Sequence, residues 1–436
     1  MPIDVGRFYR ASNPSQPIAD ERYYVDCSSV RGGDIIRELE RTIVVLSPEQ
    51  ATTQLFTGHI GSGKSTELFR LRSGLEAAGF HVVYFESDQD LEMGNIDITN
   101  IMLVMARRIA ASLEAVKIQL RPSYFQTLLG EISRILNMPI EVSDVSFSMG
   151  IASITAKARE SNELLSKLQN FLEPRTKSII DAINQELIIP GTERLKQQGK
   201  KGLVVIVDNL DRIDSTRKVG DRTQPAYIFV DRGDQLKRLA CHVIYTIPLS
   251  LVFSNEQPRL LNRFGIGLKV LPMVPVRDRQ GNPFEPGLAL MRQVILARAF
   301  PDFTQAERLE RTEELFQPAA ALDRLCDISG GHMRTLLRLL AGCLQRHNPP
   351  ILQSTLETVI RDERDFLARI VEEPEWALLF RAVQQLSVQG DEDYNALLRN
   401  LLVYEYRDQI GQWFNANPLL TETEKFKIHQ RYASQP

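Results

Sequence analysis

Leu203-Val204-Val205-Ile206-Val207 is an unbroken apolar run that ends on Asp208. Such a run, rich in β-branched residues, predicts a strand buried on both faces. Thr52–Thr57, His81–Glu86, His242–Ile247 and Gly267–Leu271 have similar character and are read as further strands. Elsewhere the period lengthens. Ile35, Ile36, Leu39, Ile43 and Val44 follow Asp34 at helical spacing, and Asp34 is placed to cap that helix. Glu67–Ala78 is helical in pattern, and Gly79 is placed to stop it. Strand–helix alternation predicts an α/β fold in which helices cover a parallel sheet.

The alternation is interrupted. Residues 91–200 read as mostly helical, with Asp97–Val116 and Asn162–Ile189 at helical spacing. Between them Val145, Phe147, Met149 and Ile151 alternate with small polar residues, which favours a strand or hairpin. Residues 285–347 read as all-helical, and Asn348-Pro349-Pro350 marks a boundary. A short helix at Tyr394–Arg399 is followed by Leu401–Tyr406 and Gln412–Asn417, read as a hairpin. Residues 1–22, rich in Pro, Ser and polar groups, read as an extended arm.

Composition narrows the class without naming it. The 436 residues are 43% hydrophobic and 25% charged, which excludes a collagen, a disordered tail or a disulfide scaffold. The net charge of −3 announces neither a nucleic-acid binder nor a membrane-surface protein. Cys27, Cys241, Cys326 and Cys343 have no close pairing or zinc-type spacing, so reduced thiols and a cytoplasmic location are expected. The first residues contain no apolar stretch for a signal peptide, and the longest apolar runs fall far below the roughly 20 residues of a membrane helix.

One segment carries explicit chemistry. Gly58, His59, Ile60, Gly61, Ser62, Gly63, Lys64, Ser65 and Thr66 fit the phosphate-loop pattern G-x-x-x-x-G-K-[ST] without a mismatch. Glycines permit backbone conformations in which amide N–H groups converge on phosphate oxygens. The helix that follows points its positive end at the same anion. Lys64 supplies a charge to the outer phosphates, Ser65 a hydroxyl to magnesium, and Thr66 a contact nearer the sugar. ATP and Mg2+ are the expected cofactors.

Such a loop needs a partner carboxylate at the carboxyl end of an adjacent buried strand. Asp208 supplies it as the second magnesium residue. The chain continues Asn209-Leu210-Asp211-Arg212. Hydrolysis needs a group that orients or deprotonates water. Asn209 can orient water but cannot take a proton, so Asp211 is the candidate base; the alternative is an ion pair between Asp211 and an Arg such as Arg212.

Together, Gly58–Thr66 and the strand ending Asp-Asn-Leu-Asp-Arg resemble the additional-strand P-loop ATPases, in particular the AAA+ group with origin-recognition-like members and the related STAND switch ATPases. The resemblance implies a P-loop core (51–90 and 201–284) after an N-terminal arm and helix (1–50); the helical insertion (91–200) that breaks the core matches no motif of that class. A helical lid (285–349) and a winged-helix-like unit (350–436) would follow. It implies that Thr246 senses the outer phosphate from the next strand. Arg263, in Leu260-Leu261-Asn262-Arg263-Phe264, would be an arginine finger offered to a neighbouring subunit. Arg334, after Ile328-Ser329-Gly330-Gly331-His332-Met333, would reach the outer phosphate in cis. Tyr23 and Tyr24 fall where this class contacts adenine. For each there is a plainer alternative: a strand-end hydroxyl, a surface residue, an ion-pair partner, a packed aromatic.

The resemblance also implies DNA binding by the C-terminal unit, and charge does not support that. Residues 353–436 hold nine basic against fourteen acidic side chains, without the clustered Lys/Arg of a phosphate-gripping surface. Tyr404, Tyr406, Trp413 and Phe414 alternate as a hairpin core does. The expected function is a Mg-dependent ATPase acting as a nucleotide-driven conformational or assembly switch. A nucleotide-dependent homo-oligomer and a protein client or effector are the expected partners, with DNA left open and no membrane. The alternative is a nucleotide-gated binding or adaptor module with little hydrolysis that recruits a DNA-processing or effector partner.

Overall fold

The computed structural model describes residues 3–18, 20–120, 122–138, 147–215, 222–388 and 394–433. Five strands make one parallel sheet: β1 (Thr53–Gly58), β2 (His81–Glu86), β3 (Leu203–Asp208), β4 (His242–Thr246) and β5 (Leu268–Leu271). Their order is β2-β3-β4-β1-β5. β3 is therefore not adjacent to β1, as the sequence reading required of the strand bearing the magnesium carboxylate. β4, buried along its whole length, pairs with β1 on one side and β3 on the other. This is the α/β P-loop architecture with an additional strand. All five carboxyl ends lie along one edge, where ligands bind in open α/β sheets.

Side chains alternate across the sheet. Leu55, Val83, Val205, Val207 and Tyr245 face one core; Phe56, Val82, Val204, Ile206 and Ile244 face another. The second face is covered by helices Ile35–Arg41 and Lys64–Ala77 through Ile36, Leu39, Leu68 and Leu71. The first is covered by helix Ile98–Ala115, in which 12 of 18 residues are buried. Helices in the segment read as an insertion thus form a layer of the sandwich.

Two local expectations fail. Phe147–Ala158 is a helix, so Phe147, Met149 and Ile151 are not in a strand. The buried positions, Ser148, Gly150, Ile151, Ile154 and Ala158, follow helical spacing, while Met149 is exposed. Small residues at 148 and 150 give the close approach, and Ser148 Oγ donates to Glu114 at 3.1 Å. Val145 lies outside the described residues. Near the N-terminus, Val5–Ala11 is helical rather than extended. Asp4 caps it by accepting from Arg7 N at 2.9 Å, and Phe8 is buried against Leu296, Ala299 and Phe300.

Helices Glu285–Ala299, Gln305–Glu310, Thr312–Leu315, Ala320–Ile328 and Met333–Arg346 make the segment after β5. It is not purely helical: β6 (Phe316–Gln317) pairs with β7 (Ile351–Leu352) across Asn348-Pro349-Pro350. Leu356, Val359 and Ile360 of helix Gln353–Arg369 share the same core. Helices Glu373–Gln385 and Tyr394–Arg399 then lead to an antiparallel hairpin, β8 (Val403–Arg407) and β9 (Gln412–Ala416). Tyr406 stacks on Trp413 with ring centroids 4.5 Å apart, and both pack with Tyr404 and Met273. Among the described residues no helix is long and apolar enough to cross a membrane.

Candidate nucleotide site

β1 runs into the glycine loop, and the loop into helix Lys64–Ala77. At Gly61 φ is +88°, and an added Cβ would stand 2.7 Å from both Arg334 Cβ and His332 Nε2. Only glycine fits there. A cleft opens over the loop. Its walls include Asn209, Asp211, Arg212 and Arg334, together with residues 14–18, Tyr23, Tyr24 and Val25.

Lys64 is held by three acceptors. Its Nζ donates to Gly58 O at 2.8 Å and His59 O at 2.9 Å, and forms an ion pair with Asp211 Oδ2 at 2.8 Å. Asp211 therefore sits at the loop's lysine, not on Arg212, which pairs with Asp88 at 2.6 Å. Asp211 Oδ1 and Ser62 Oγ are buried without hydrogen-bond partners among the described residues.

Asp208 ends β3 fully buried. It accepts from Tyr84 OH at 2.8 Å and from Asn209 N at 2.7 Å, and the Ser65 hydroxyl is near enough to favour its charged form. Burial, and then the Asp211 charge, push its carboxyl above the usual range. Two carboxylates beside a serine hydroxyl, one of them strained by the other's charge, are a set that a divalent cation relieves. The side chains present thus fit magnesium as well as phosphate. Asn209 adopts φ +63° and donates to Asp88 Oδ1 at 2.9 Å.

The residues implied by the resemblance divide. Arg334 lines the cleft, its N–H donates to Gly61 O at 3.1 Å, and its guanidinium has no hydrogen bond or ion pair among the described residues. Burial, followed by the Arg212 charge, lowers its pKa. Thr246 is fully buried behind the cleft: its hydroxyl accepts from Leu210 N at 2.9 Å and donates to Val207 O at 3.3 Å. Arg263 lies on helix Gln257–Phe264, paired with Asp234 and away from the walls of its own cleft. Thr66 Oγ1 accepts from Ile18 N at 3.2 Å, tying the N-terminal segment to the loop's helix.

Three consecutive loop residues are gripped from distant parts of the chain. His59 turns its ring away from the cleft, and its Nε2 accepts from Glu405 N of β8 at 2.9 Å. Ile60 O bonds His332 Nε2 at 2.9 Å. Gly61 O takes the Arg334 N–H. The Tyr404 ring lies against both imidazoles, with centroids 5.9 Å from His59 and 5.5 Å from His332. Burial lowers both histidine pKa values, that of His332 to about 3, so both rings are neutral. Arg31, which the sequence reading did not single out, is 3% exposed and donates to Ser62 O at 2.9 Å. Tyr84 and His332 were equally unforeseen, although His332 sits two residues before Arg334.

Fold and cleft together define a P-loop nucleotide-binding protein of the additional-strand class. No family model matches the chain, and no curated protein matches it. Its fold is similar to solved structures of low identity. The Aeropyrum pernix ORC1 protein in complex with DNA is 13% identical over 97% of this chain and 98% of that one, with a TM-score of 0.40. The A. pernix ORC2 protein (ADPNP-ADP complexes) is 11% identical over 98% of each chain, TM-score 0.38. A Walker-type ATPase of Pyrococcus abyssi is 12% identical over 92% of this chain and 99% of that one, TM-score 0.40. At such values no residue role passes from these structures to this chain.

Proposed function

We propose that the protein is a magnesium-dependent ATPase working as a nucleotide-driven conformational or assembly switch. The observation that carries this is the meeting, at one cleft, of Lys64 and Ser65 at the start of the loop's helix, Asp211 after β3 and Arg334 from the helical segment, with Asp208 buried at the end of β3 beside Asp211. Gly58–Thr66 would hold the phosphates through backbone amides, and Ser65 and Asp208 would hold magnesium. The metal would neutralise charge on the outer phosphates. Lys64 exchanges its carbonyl contacts for phosphate oxygens, and Arg334 adds planar positive charge to the transferring group. Asp211, with one oxygen on Lys64 and the other unpartnered, accepts from the attacking water, while Asn209 orients it. A ligand that touches both Lys64 and Arg334 fixes the lid on the sheet, and that ordering changes how subunits meet.

Arg263, outside its own cleft and paired with Asp234, would have to leave that partner to reach a second subunit's cleft in a nucleotide-dependent homo-oligomer. The four cysteines are free and buried, consistent with a cytoplasmic setting. The acidic C-terminal unit supports a protein client or effector over DNA. Lys64→Ala should abolish ATP binding and turnover; phosphate release at the wild-type rate would refute the site.

One observation favours the alternative of a nucleotide-gated adaptor with little hydrolysis. Asn209 follows Asp208 where a glutamate would serve as base, and Asp211 is engaged by Lys64. Steady-state phosphate release, measured with and without DNA, separates the two readings: a rate indistinguishable from Lys64→Ala in both conditions selects the adaptor.

A further inference from the structure

Arg298, on helix Glu285–Ala299, is a charge that the phosphate chemistry does not use. It is 3% exposed and lines the cleft. Its Nε donates to Ala11 O at 3.0 Å, and its Nη1 donates to Val294 O. Both acceptors are neutral carbonyls. Among the described residues no carboxylate pairs with it and its Nη2 has no partner. Burial alone brings its pKa down to about 10. A desolvated guanidinium without an anion is costly, and a ligand acceptor can offset that cost.

Its position says which part of a ligand it meets. Arg298 is surrounded by Ala11, Val294, Tyr23 and Cys27, none of them in the glycine loop. The lining of the cleft also includes Pro14, Pro17, Ile18 and Leu337. Apolar side chains and a tyrosine suit a flat ring better than a phosphate. Arginine only donates, so its counterpart must be an acceptor on that ring. Adenine offers the ring nitrogens N1, N3 and N7.

We infer that Arg298 is a base-reading residue of the cleft, donating to an acceptor ring nitrogen of adenine and so selecting a nucleotide over a bare polyphosphate. This rests on the ATP reading above. A charged donor to a ring nitrogen is worth about tenfold to a hundredfold in affinity.

The test titrates ATP, its 1-deaza, 3-deaza and 7-deaza analogues, and inorganic tripolyphosphate into the wild-type chain and Arg298→Met. One deaza analogue should bind the wild type at least tenfold more weakly than ATP. Arg298→Met should weaken ATP by a similar factor, abolish the difference between ATP and that analogue, and leave tripolyphosphate within about twofold. The inference is overturned if all three analogues match ATP in the wild type, or if the variant loses tripolyphosphate as strongly as ATP. Should Arg298→Met fail to fold, the wild-type comparison decides by itself. A wild type that binds neither ATP nor tripolyphosphate sinks the nucleotide reading; one that binds both and ignores the ring nitrogens sinks only this inference.

Discussion

Glu405 carries its carboxyl into a closed interior beside the phosphate loop. It is 2% exposed, its Oε2 has no partner among the described residues, and burial pushes its pKa up to about 8. The folded chain therefore keeps a proton that the unfolded chain releases above about 4.5. Stability from this group is complete below that value, falls as pH rises towards about 8, and is level beyond, with a slope of at most ~1.4 kcal/mol per pH unit. His59 and His332, held neutral, act oppositely below their ordinary 6.5, losing stability as pH falls. Between pH 6.5 and 8 the glutamate dominates. Thermal melts of the wild type should decline across that window, and Glu405→Gln should flatten the decline. Parallel slopes for the two proteins would count against a buried neutral carboxyl.

The same residues show what a sequence can and cannot disclose. Gly58–Thr66 is contiguous, so its chemistry is written in one stretch. Asp208 was visible because an apolar run with an acid at its end has few other meanings. Glu405 touching His59 had no local signature: 346 positions separate them. Arg31 and Tyr84 are likewise defined by what they meet in space. The polar alternation around Phe147 misled because Ser148 and Gly150 are small enough to pack inward on a helix.

At the scale of elements, the glycine loop and the helix beginning at Met333 are in direct contact through Gly61, His332 and Arg334. Gly61→Ala places a methyl against Arg334 and His332 and forces an alanine to φ +88°. The backbone strain costs about 1–3 kcal/mol, and the clash adds to it. Gly199→Ala is the matched control: φ there is +84° and nothing lies within 4 Å of the new atom. Gly61→Ala should melt several degrees below Gly199→Ala and bind ATP more weakly. Equal melting points would mean that the loop and the lid are not in contact in solution. Strand positions were legible to within about a residue, because β1, β3 and β4 are buried almost throughout and run mostly through apolar residues. The order of the strands was not, since the insertion of β4 between β1 and β3 is a long-range choice.

For the whole molecule, the question is whether one chain completes a working site. Arg263 pairs with Asp234 in its own chain, outside its own cleft. If it acts on a neighbour, turnover per chain should rise with protein concentration, and Arg263→Ala should lose that rise while keeping ATP affinity. A loss of the same size in a dilute monomer contradicts a role in trans. The mass of the particle with and without a non-hydrolysable ATP analogue tests the assembly itself.

The hydrogen bond from the Glu405 amide to His59 binds the histories of two segments 346 positions apart. A change in the backbone path of the hairpin disturbs an imidazole inside the phosphate-loop motif. His59 meets that amide and the Tyr404 ring together, so substitutions at positions 59 and 404 should be inherited in step across relatives, and a hairpin transplanted without its matching loop should disturb the loop of the recipient.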